Sequence, residues 1–209
     1  MSRTTVPVQQ SALAGCVPSD HFGVTGVRGV STDEVLVRLG VTDQAPYPLC
    51  TSGEALRKFG WGEGTPAVRV CGGEWTFLFD VTAHGKLSND AVLSHLSAGG
   101  EAVSVWSILD GTTRVAHARE GELLADIDAW AVHLTTGADP SRVNRALTEA
   151  GFFRDWEDED GEDGEDGEDD WLVPSAAALI AMEREFGMAV SPVAANGTLP
   201  TVSLRHLLG

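Results

Sequence analysis

One segment of the sequence contains residue types suited to binding a charged partner. Eleven of the 31 acidic residues lie in the run from Glu157 to Asp170, which holds three Gly-Glu-Asp repeats and no Lys or Arg. Tryptophans flank this run on both sides. Acidic groups attract a basic protein, and aromatic side chains beside them supply contacts that become buried on binding. The predicted partner-binding residues are Trp156, Glu157, Asp158, Glu159, Asp160, Asp169, Asp170 and Trp171.

The same run also fits a simpler interpretation, a solvated and self-repelling loop without a function of its own. A calcium loop of the EF-hand type needs oxygen ligands at positions 1, 3 and 5 before a glycine at position 6. With Gly161 at position 6, Trp156 falls on position 1. With Gly164 or Gly167 there, another glycine falls on position 3. We therefore predict no metal site in the run.

The rest of the chain shows no local pattern of a catalytic centre. Its six histidines form no HExxH motif, no serine lies in a GxSxG motif, and no glycine-rich loop carries a phosphate-binding lysine. We expect no cofactor. His117 shares a predicted strand face with Val115 and Arg119, and we interpret it as a solvated or hydrogen-bonded strand histidine. If the protein is an enzyme, the strand-end carboxylates Asp80 and Glu101 are its candidate acid–base groups.

Two predicted hairpins provide the sheet that would position these groups. Valines alternate over Val68–Val70, a Gly72-Gly73 turn follows, and aromatic residues then occupy one face of Trp75–Phe79. Asp110-Gly111 separates a second pair of strands, and Glu120-Gly121 precedes one more. The sequence thus predicts an antiparallel sheet of about five strands.

Capping residues predict the helices. Ser31–Glu34 has the capping-box pattern, and Pro140-Ser141 and Pro174-Ser175 open helices in the C-terminal third. We predict an α+β fold with helices packed on one face of the sheet and a helical C-terminal third. Hydrophobic residues make up 43% of the chain, which is typical of a folded domain. We predict a loose N-terminal arm over residues 1–20 and a single domain over 21–209, with the acidic insert at 157–170.

The charge of the chain excludes two classes of partner. The 209 residues include 31 acidic residues and 14 Lys and Arg, for a net charge of −17. Outside the acidic insert, 20 acidic residues face the same 14 bases, which leaves −6. Neither value suits a protein that neutralises nucleic-acid phosphates or docks on anionic lipid. We expect no nucleic acid and no membrane among its partners.

The cysteines and the hydropathy favour a cytoplasmic protein. No stretch approaches the ~20 apolar residues of a membrane span. Cys16, Cys50 and Cys71 form no CxxC pair, and we interpret them as reduced thiols. Leu13–Cys16 matches the lipoprotein cleavage pattern, but Pro7 interrupts the apolar stretch that such a leader needs, so we interpret the match as chance.

Four segments together resemble an actinobacterial domain family of unknown function. They are Val27–Gly40, Trp75–Asp80, Leu96–Ser104 and Gly137–Arg142, and their order and spacing carry the resemblance. The resemblance extends over roughly residues 22–150. It implies a compact cytoplasmic domain and no particular activity.

The acidity and the lack of a catalytic motif favour a binding function. We predict a noncatalytic acidic protein-interaction domain, such as an inhibitor, an immunity-type protein or an adaptor subunit, which binds a protein partner with a basic surface. The alternative is an enzyme of unrecognised type that uses loop or strand-end carboxylates such as Asp80 and Glu101.

Overall fold

The structure, a computed structural model, describes residues 11–18, 21–60, 66–108, 112–153 and 174–208. Within these ranges the chain forms eight strands, in which successive side chains point to opposite faces. They are β1 (His21–Arg28), β2 (Leu49–Cys50), β3 (Ala67–Cys71), β4 (Trp75–Asp80), β5 (Glu101–Ile108), β6 (Thr113–Arg119), β7 (Glu122–Asp128) and β8 (Leu199–Ser203).

The eight described strands form one sheet in the order β2-β8-β3-β4-β1-β5-β6-β7. Every neighbouring pair is antiparallel. This confirms the antiparallel sheet and both predicted hairpins, β3–β4 and β5–β6 with β7 beside them. The predicted number of about five strands is wrong, because β1, β2 and β8 were not anticipated.

The missed strands have weak sequence signals. β1 lies between β4 and β5 at the centre of the sheet, although Gly23 and Gly26 interrupt its apolar pattern. Gly26 is closely packed, since a Cβ there would lie 2.7 Å from Cε of Met188. β8 contains Pro200, and β2 has only two residues. Glycine and proline both weaken a strand assignment made from sequence.

Six α-helices occur in the described residues, and they pack on both faces of the sheet rather than on the one face predicted. The predicted cap at Ser31 is present, since its hydroxyl accepts a hydrogen bond from the Glu34 N–H at 3.2 Å. The described part of the C-terminal third contains the helices α4, α5 and α6, as predicted, and in addition β8. The helices are α1 (Thr32–Arg38), α2 (Ser52–Phe59), α3 (Asp90–Ser97), α4 (Asn144–Glu149), α5 (Pro174–Phe186) and α6 (Pro192–Asn196).

Each face of the sheet has its own hydrophobic core. On the α5 face, α4 and α5 contribute buried residues such as Leu147 and Met182 and pack on Phe77 of β4. On the opposite face, which we call the α3 face, α1 and α3 cover Leu78 of the same strand and bury Leu93. Because Phe77 and Leu78 are adjacent, their side chains point to opposite faces and connect the two layers to one strand.

Residues 11–18 pack against the α5 face. Leu13 is fully buried there, and the Ser11 hydroxyl donates a hydrogen bond to Glu183 of α5 at 2.5 Å. The division of the chain into an arm and one domain stays a prediction. Among the described residues, no helix has both the length and the apolar character needed to cross a membrane.

Candidate functional site

A polar cleft opens on the α5 face where β1 ends and β5 begins. We call it the Arg28–Glu101 cleft, and its volume is about 380 Å³. It combines three arginines and three glutamates with glycine backbone and one aromatic ring. The lining residues are Arg28, Gly29, Gly99, Gly100, Glu101, Arg119, Glu120, Arg142, Glu185 and Phe186.

The strand register aligns the charged residues of the cleft. Arg28 of β1 is paired with Glu101 of β5, which is paired in turn with Arg119 of β6. Paired residues of neighbouring strands project from the same face, and adjacent strands lie about 4.8 Å apart. The pairing therefore places an acid between two bases in one row across the sheet.

Close backbone packing holds the cleft walls together. Gly29 has a positive φ of 88°, and Gly100 lies so close to the end of β1 that a Cβ there would be 2.3 Å from the Arg28 carbonyl oxygen. Arg38 of α1 donates hydrogen bonds at 2.9 and 2.6 Å to two carbonyl oxygens at the end of α3. The turn before β5 is thus fixed against the turn after β1.

Arg28 is held by three contacts. Its Nη2 donates to Oε2 of Glu101 at 2.5 Å, and its Nη1 donates to the carbonyl oxygen of Phe186 at 3.3 Å. The guanidinium also lies 4.6 Å from the ring centroid of Trp75, a cation–π arrangement. The side chain nevertheless remains 39% exposed. Arg28 is therefore oriented and still reachable from solvent.

The other two arginines differ in their partners. Arg142 donates from Nη1 to Oε1 of Glu185 at 2.6 Å, and its guanidinium lies 5.4 Å from the ring centroid of Phe186. Arg119 is exposed, and its side chain makes no hydrogen bond or ion pair with any residue in the described ranges. One cation of the cleft is thus uncommitted within the described structure.

His117 lies under the cleft and is 1% exposed. Its Nε2 is 3.0 Å from Oε1 of Glu101, and its ring centroid is 4.7 Å from that of Phe186. Of the two predicted alternatives for this strand histidine, the hydrogen-bonded one is confirmed and the solvated one is wrong. Glu101 therefore bonds Arg28 with one oxygen and His117 with the other.

The two pKa shifts fix the direction of the hydrogen bond between His117 and Glu101. Burial lowers the pKa of His117, and the contact with Glu101 offsets this only in part. Burial alone would raise the pKa of Glu101, but hydrogen bonds from Arg28 and His117 bring it below its ordinary value. At neutral pH the imidazole is therefore neutral and the carboxylate is ionised, so Nε2–H donates and Nδ1 carries the lone pair.

This pair resembles the carboxylate-oriented histidine of general-base catalysis. A base must reach the proton that it removes, but Nδ1 of His117 is buried and has no hydrogen-bond partner in the described structure. Phe186 packs against the ring. The arrangement orients a base without presenting it to the cleft.

The structure does not bring Asp80 and Glu101 together. Asp80 follows Phe79, which pairs with Val24 of β1, whereas Glu101 pairs with Arg28 at the other end of that strand. The separation along β1 is roughly 15 Å. The side chains of Asp80 and Glu101 also project from opposite faces of the sheet. Asp80 accepts hydrogen bonds from two loop N–H groups, and burial raises its pKa.

The predicted binding residues of the acidic insert lie outside the described residues. In the part of the chain that the structure does describe, no group of three or more His, Cys, Asp or Glu could hold a metal ion. The residues outside the described ranges are Trp156, Glu157, Asp158, Glu159, Asp160, Asp169, Asp170 and Trp171.

A second surface follows β7 at the far end of the sheet. Trp130, Val132 and Leu134 are 76%, 43% and 65% exposed, and we call these three residues the Trp130 ridge. The ridge lies on a tight turn in which the Leu134 N–H donates to the Ala131 carbonyl at 2.7 Å. Thr136 then returns to pair with the edge of β7. The apolar side chains are therefore presented on a hydrogen-bonded turn.

The surroundings of the ridge are acidic. Asp128 accepts a hydrogen bond from the Trp130 N–H at 2.9 Å, and Asp126 and Asp90 both form ion pairs with Arg114. The pKa of Arg114 is raised, first by its hydrogen bond to Asp126 and further by the charges of the aspartates. Three carboxylates thus surround one guanidinium, and one of them, that of Asp128, contacts the ridge.

The sequence carried partial signals for these residues. Arg28 and Arg142 lie in segments that resemble the family, and Glu101 was a candidate because it begins a strand. Arg119 gave no signal, because its role depends on pairing between β5 and β6 in register with β1. The alternating apolar residues of the ridge resemble a buried strand, and only the tertiary structure shows that they are exposed.

The chain belongs to a protein family. The model of a family of unknown function, DUF6461, matches residues 17–197. No curated protein and no solved structure matches the chain. The predicted membership in a family of unknown function is confirmed, whereas the actinobacterial origin stays a prediction.

The four segments that carried the resemblance meet at the Arg28–Glu101 cleft. The first supplies Arg28, the second supplies Trp75 beneath its guanidinium, the third supplies Glu101 and the fourth supplies Arg142. Segments that are far apart in the sequence thus contribute to one place on the α5 face. The cleft is therefore the candidate functional site that the fold itself assembles.

Proposed function

We propose that this protein is a noncatalytic protein-interaction domain that binds a protein partner with a basic surface. It would act as an inhibitor, an immunity-type protein or an adaptor subunit. The observation that carries the proposal is the Trp130 ridge, where three apolar side chains are exposed within five residues beside three aspartates.

The ridge has the chemistry of an interface centre. Tryptophan is enriched among the residues that contribute most to protein–protein affinity, and such residues lie in contacts that become fully desolvated. The hydrogen-bonded turn limits the conformational entropy that binding would remove. A partner that covers Trp130 would bury a large aromatic surface at low ordering cost.

Charge supports a basic partner. The stretch 120–141 contains five acidic residues and no Lys or Arg. A basic surface would be steered towards this edge, and the attraction would weaken as salt rises. The acidic insert stays a predicted second contact that would act in the same direction.

The test compares variants of the ridge with a matched control. The wild-type chain, Trp130→Ala, Leu134→Ala and Val193→Ala are used to capture partners from native lysate, and the captured protein is identified by mass spectrometry. Val193 is 86% exposed on α6 and therefore controls for loss of an exposed apolar side chain elsewhere. The purified partner is then titrated against each variant.

We expect Trp130→Ala to weaken the affinity at least about thirtyfold, the loss typical of an interface hot spot. Val193→Ala should bind like the wild type, and wild-type binding should weaken between low and moderate salt. A partner that binds Trp130→Ala and Leu134→Ala as tightly as the wild type would refute the proposal. So would a partner whose binding does not depend on salt.

A second candidate function is an enzyme that uses acid–base chemistry in the Arg28–Glu101 cleft. The hydrogen bond between Glu101 and His117 favours it, because a carboxylate holds the imidazole in one tautomer. It requires a rearrangement that exposes Nδ1 of His117, which is buried. Turnover of an ester or phosphoester substrate that is abolished by His117→Gln and retained by Trp130→Ala would establish this alternative.

A further inference from the structure

We propose that the Arg28–Glu101 cleft binds a small molecule through an oxyanion group, either a carboxylate or a phosphate. The site is separate from the Trp130 ridge, because the cleft lies beyond the start of β7 and the ridge follows its end. The seven residues of β7 span about 20 Å. The proposal therefore does not depend on the protein-interaction function.

Three guanidiniums converge on this cleft with most of their donors unused. Each guanidinium carries five N–H donors in a planar fork that matches carboxylate and phosphate oxygens. Arg28 uses two of them and Arg142 uses one in hydrogen bonds to described residues. Arg119 uses none within the described ranges. The remaining donors can bind a ligand without breaking the existing contacts.

Two of the three arginines are already oriented for this task. The carboxylate of Glu101 and the ring of Trp75 hold Arg28, whereas Glu185 and the ring of Phe186 hold Arg142. Ordering a free arginine side chain on binding costs conformational entropy. Because these contacts already order Arg28 and Arg142 in the folded protein, ligand binding does not incur that loss. Preorganised donors of this kind give charge-assisted hydrogen bonds, which are roughly twice as strong as neutral ones.

The glutamates of the cleft do not cancel this attraction equally. Glu101 is bonded to Arg28 and His117, and Glu185 is bonded to Arg142, so the charges within each of these two Arg–Glu pairs compensate each other. Glu120 is exposed beside Arg119 and makes no ion pair with any described residue. It is the group that would repel an anion. Neutralising Glu120 should therefore strengthen binding, while neutralising Arg119 should weaken it.

The size of the cleft sets the size of the ligand. Its volume of about 380 Å³ falls within the range of about 300–1,000 Å³ for small-molecule sites. A single inorganic ion would fill only part of it. The oxyanion would thus be the recognised end of a larger molecule, with the ring of Phe186 and the glycine backbone forming the rest of the wall.

The experiment titrates the full chain with sodium phosphate and with sodium succinate, and sodium chloride keeps the ionic strength constant. Binding is measured by calorimetry and by the shifts of backbone amide resonances. The constant ionic strength matters because any salt screens a protein with a net charge of −17. Stronger binding of phosphate would identify a phosphate ligand, and stronger binding of succinate would identify a carboxylate ligand.

Three variants test the site. Arg119→Gln should weaken binding of the preferred probe about tenfold, since a hydrogen bond between charged groups is lost. Glu120→Gln should strengthen it several-fold. Arg57→Gln is the matched control, because Arg57 is exposed on α2 and does not line the cleft. Circular dichroism confirms that each variant is folded.

Three outcomes would overturn the proposal. The first is the absence of both heat and resonance shifts with either probe. The second is binding that Arg119→Gln leaves unchanged. The third is an equal loss in Arg119→Gln and Arg57→Gln, which would show a general response to charge rather than a site.

Discussion

Glu101 connects the surface of the cleft to its buried histidine. One carboxylate oxygen bonds the half-exposed Arg28 and the other bonds the buried His117, so a change at either partner alters the environment of the other. Removing Glu101 would leave a buried imidazole and a guanidinium without their common acceptor. Such losses are costly because the remaining groups keep their desolvation penalty.

The buried His117 should contribute less stability to the folded protein as the pH is lowered. Its folded-state pKa lies below its ordinary value of 6.5, so the unfolded chain binds the proton first and acidification below that value favours unfolding. Glu101 adds a second loss at lower pH, because its folded-state pKa lies below 4.5. We expect the contributions of His117 and Glu101 to the free energy of unfolding, measured with urea from pH 8 to about 4, to decrease over this range.

Replacing His117 should change the shape of this profile. The free energy of unfolding of His117→Gln should be about 1–3 kcal/mol lower than that of the wild type at pH 8, since a buried hydrogen bond is disturbed. Its free energy of unfolding should also change less with pH between pH 7 and 5. His133→Gln, at an exposed position, is the control. A slope in His117→Gln as steep as in the wild type would show that His117 does not titrate as its environment requires.

Gly100 tests the close approach of the two cleft walls. A Cβ at this position would lie 2.3 Å from the Arg28 carbonyl oxygen, so one backbone segment must move. Gly100→Ala should lower the free energy of unfolding by about 1–3 kcal/mol, the usual cost of overpacking. Gly15→Ala, where nothing lies within 4 Å of the added Cβ, is the control. Equal stability of both variants in urea would contradict the packing described here.

At the scale of the elements, local patterns predicted the strands that are adjacent in sequence. Alternating apolar residues and turn dipeptides identified β3 to β7, because both signals are local. The central strand β1 pairs with β4 and β5, which lie far along the chain, and its glycines weaken the apolar pattern. Its position depends on long-range pairing with both of these strands.

The candidate site depends on the same nonlocal pairing. Glu101 could be named from its place at the start of a strand, but its alignment with Arg28 and Arg119 requires the register of β1, β5 and β6. A side chain that is one residue out of register would project from the opposite face. A single sequence does not encode that register in any local pattern, so the row of charges could not be predicted.

The elements on either side of the acidic insert predict that the fold tolerates its removal. Phe152 is 2% exposed and meets Phe153 edge-on, with 5.1 Å between the ring centroids. Beyond the insert, α5 begins at Pro174 and buries Ala177 completely. Both neighbours are thus packed into the α5-face core. Deletion of Glu157–Asp170 should therefore leave a cooperative thermal transition by circular dichroism, and a broad, noncooperative melt would contradict this.

At the scale of the whole molecule, the insert should govern how stability responds to salt. The full chain has a net charge of −17, and the shortened chain would have −6. Self-repulsion destabilises a compact state, and at 0.1 M salt charges are screened beyond about 10 Å. Sodium chloride should therefore raise the melting temperature of the full chain more than that of the shortened chain. Chloride is the proper salt, because phosphate is one of the two ligands proposed for the Arg28–Glu101 cleft. An equal rise of the melting temperature in the two chains would mean that the charge of the insert does not affect the stability of the rest of the protein.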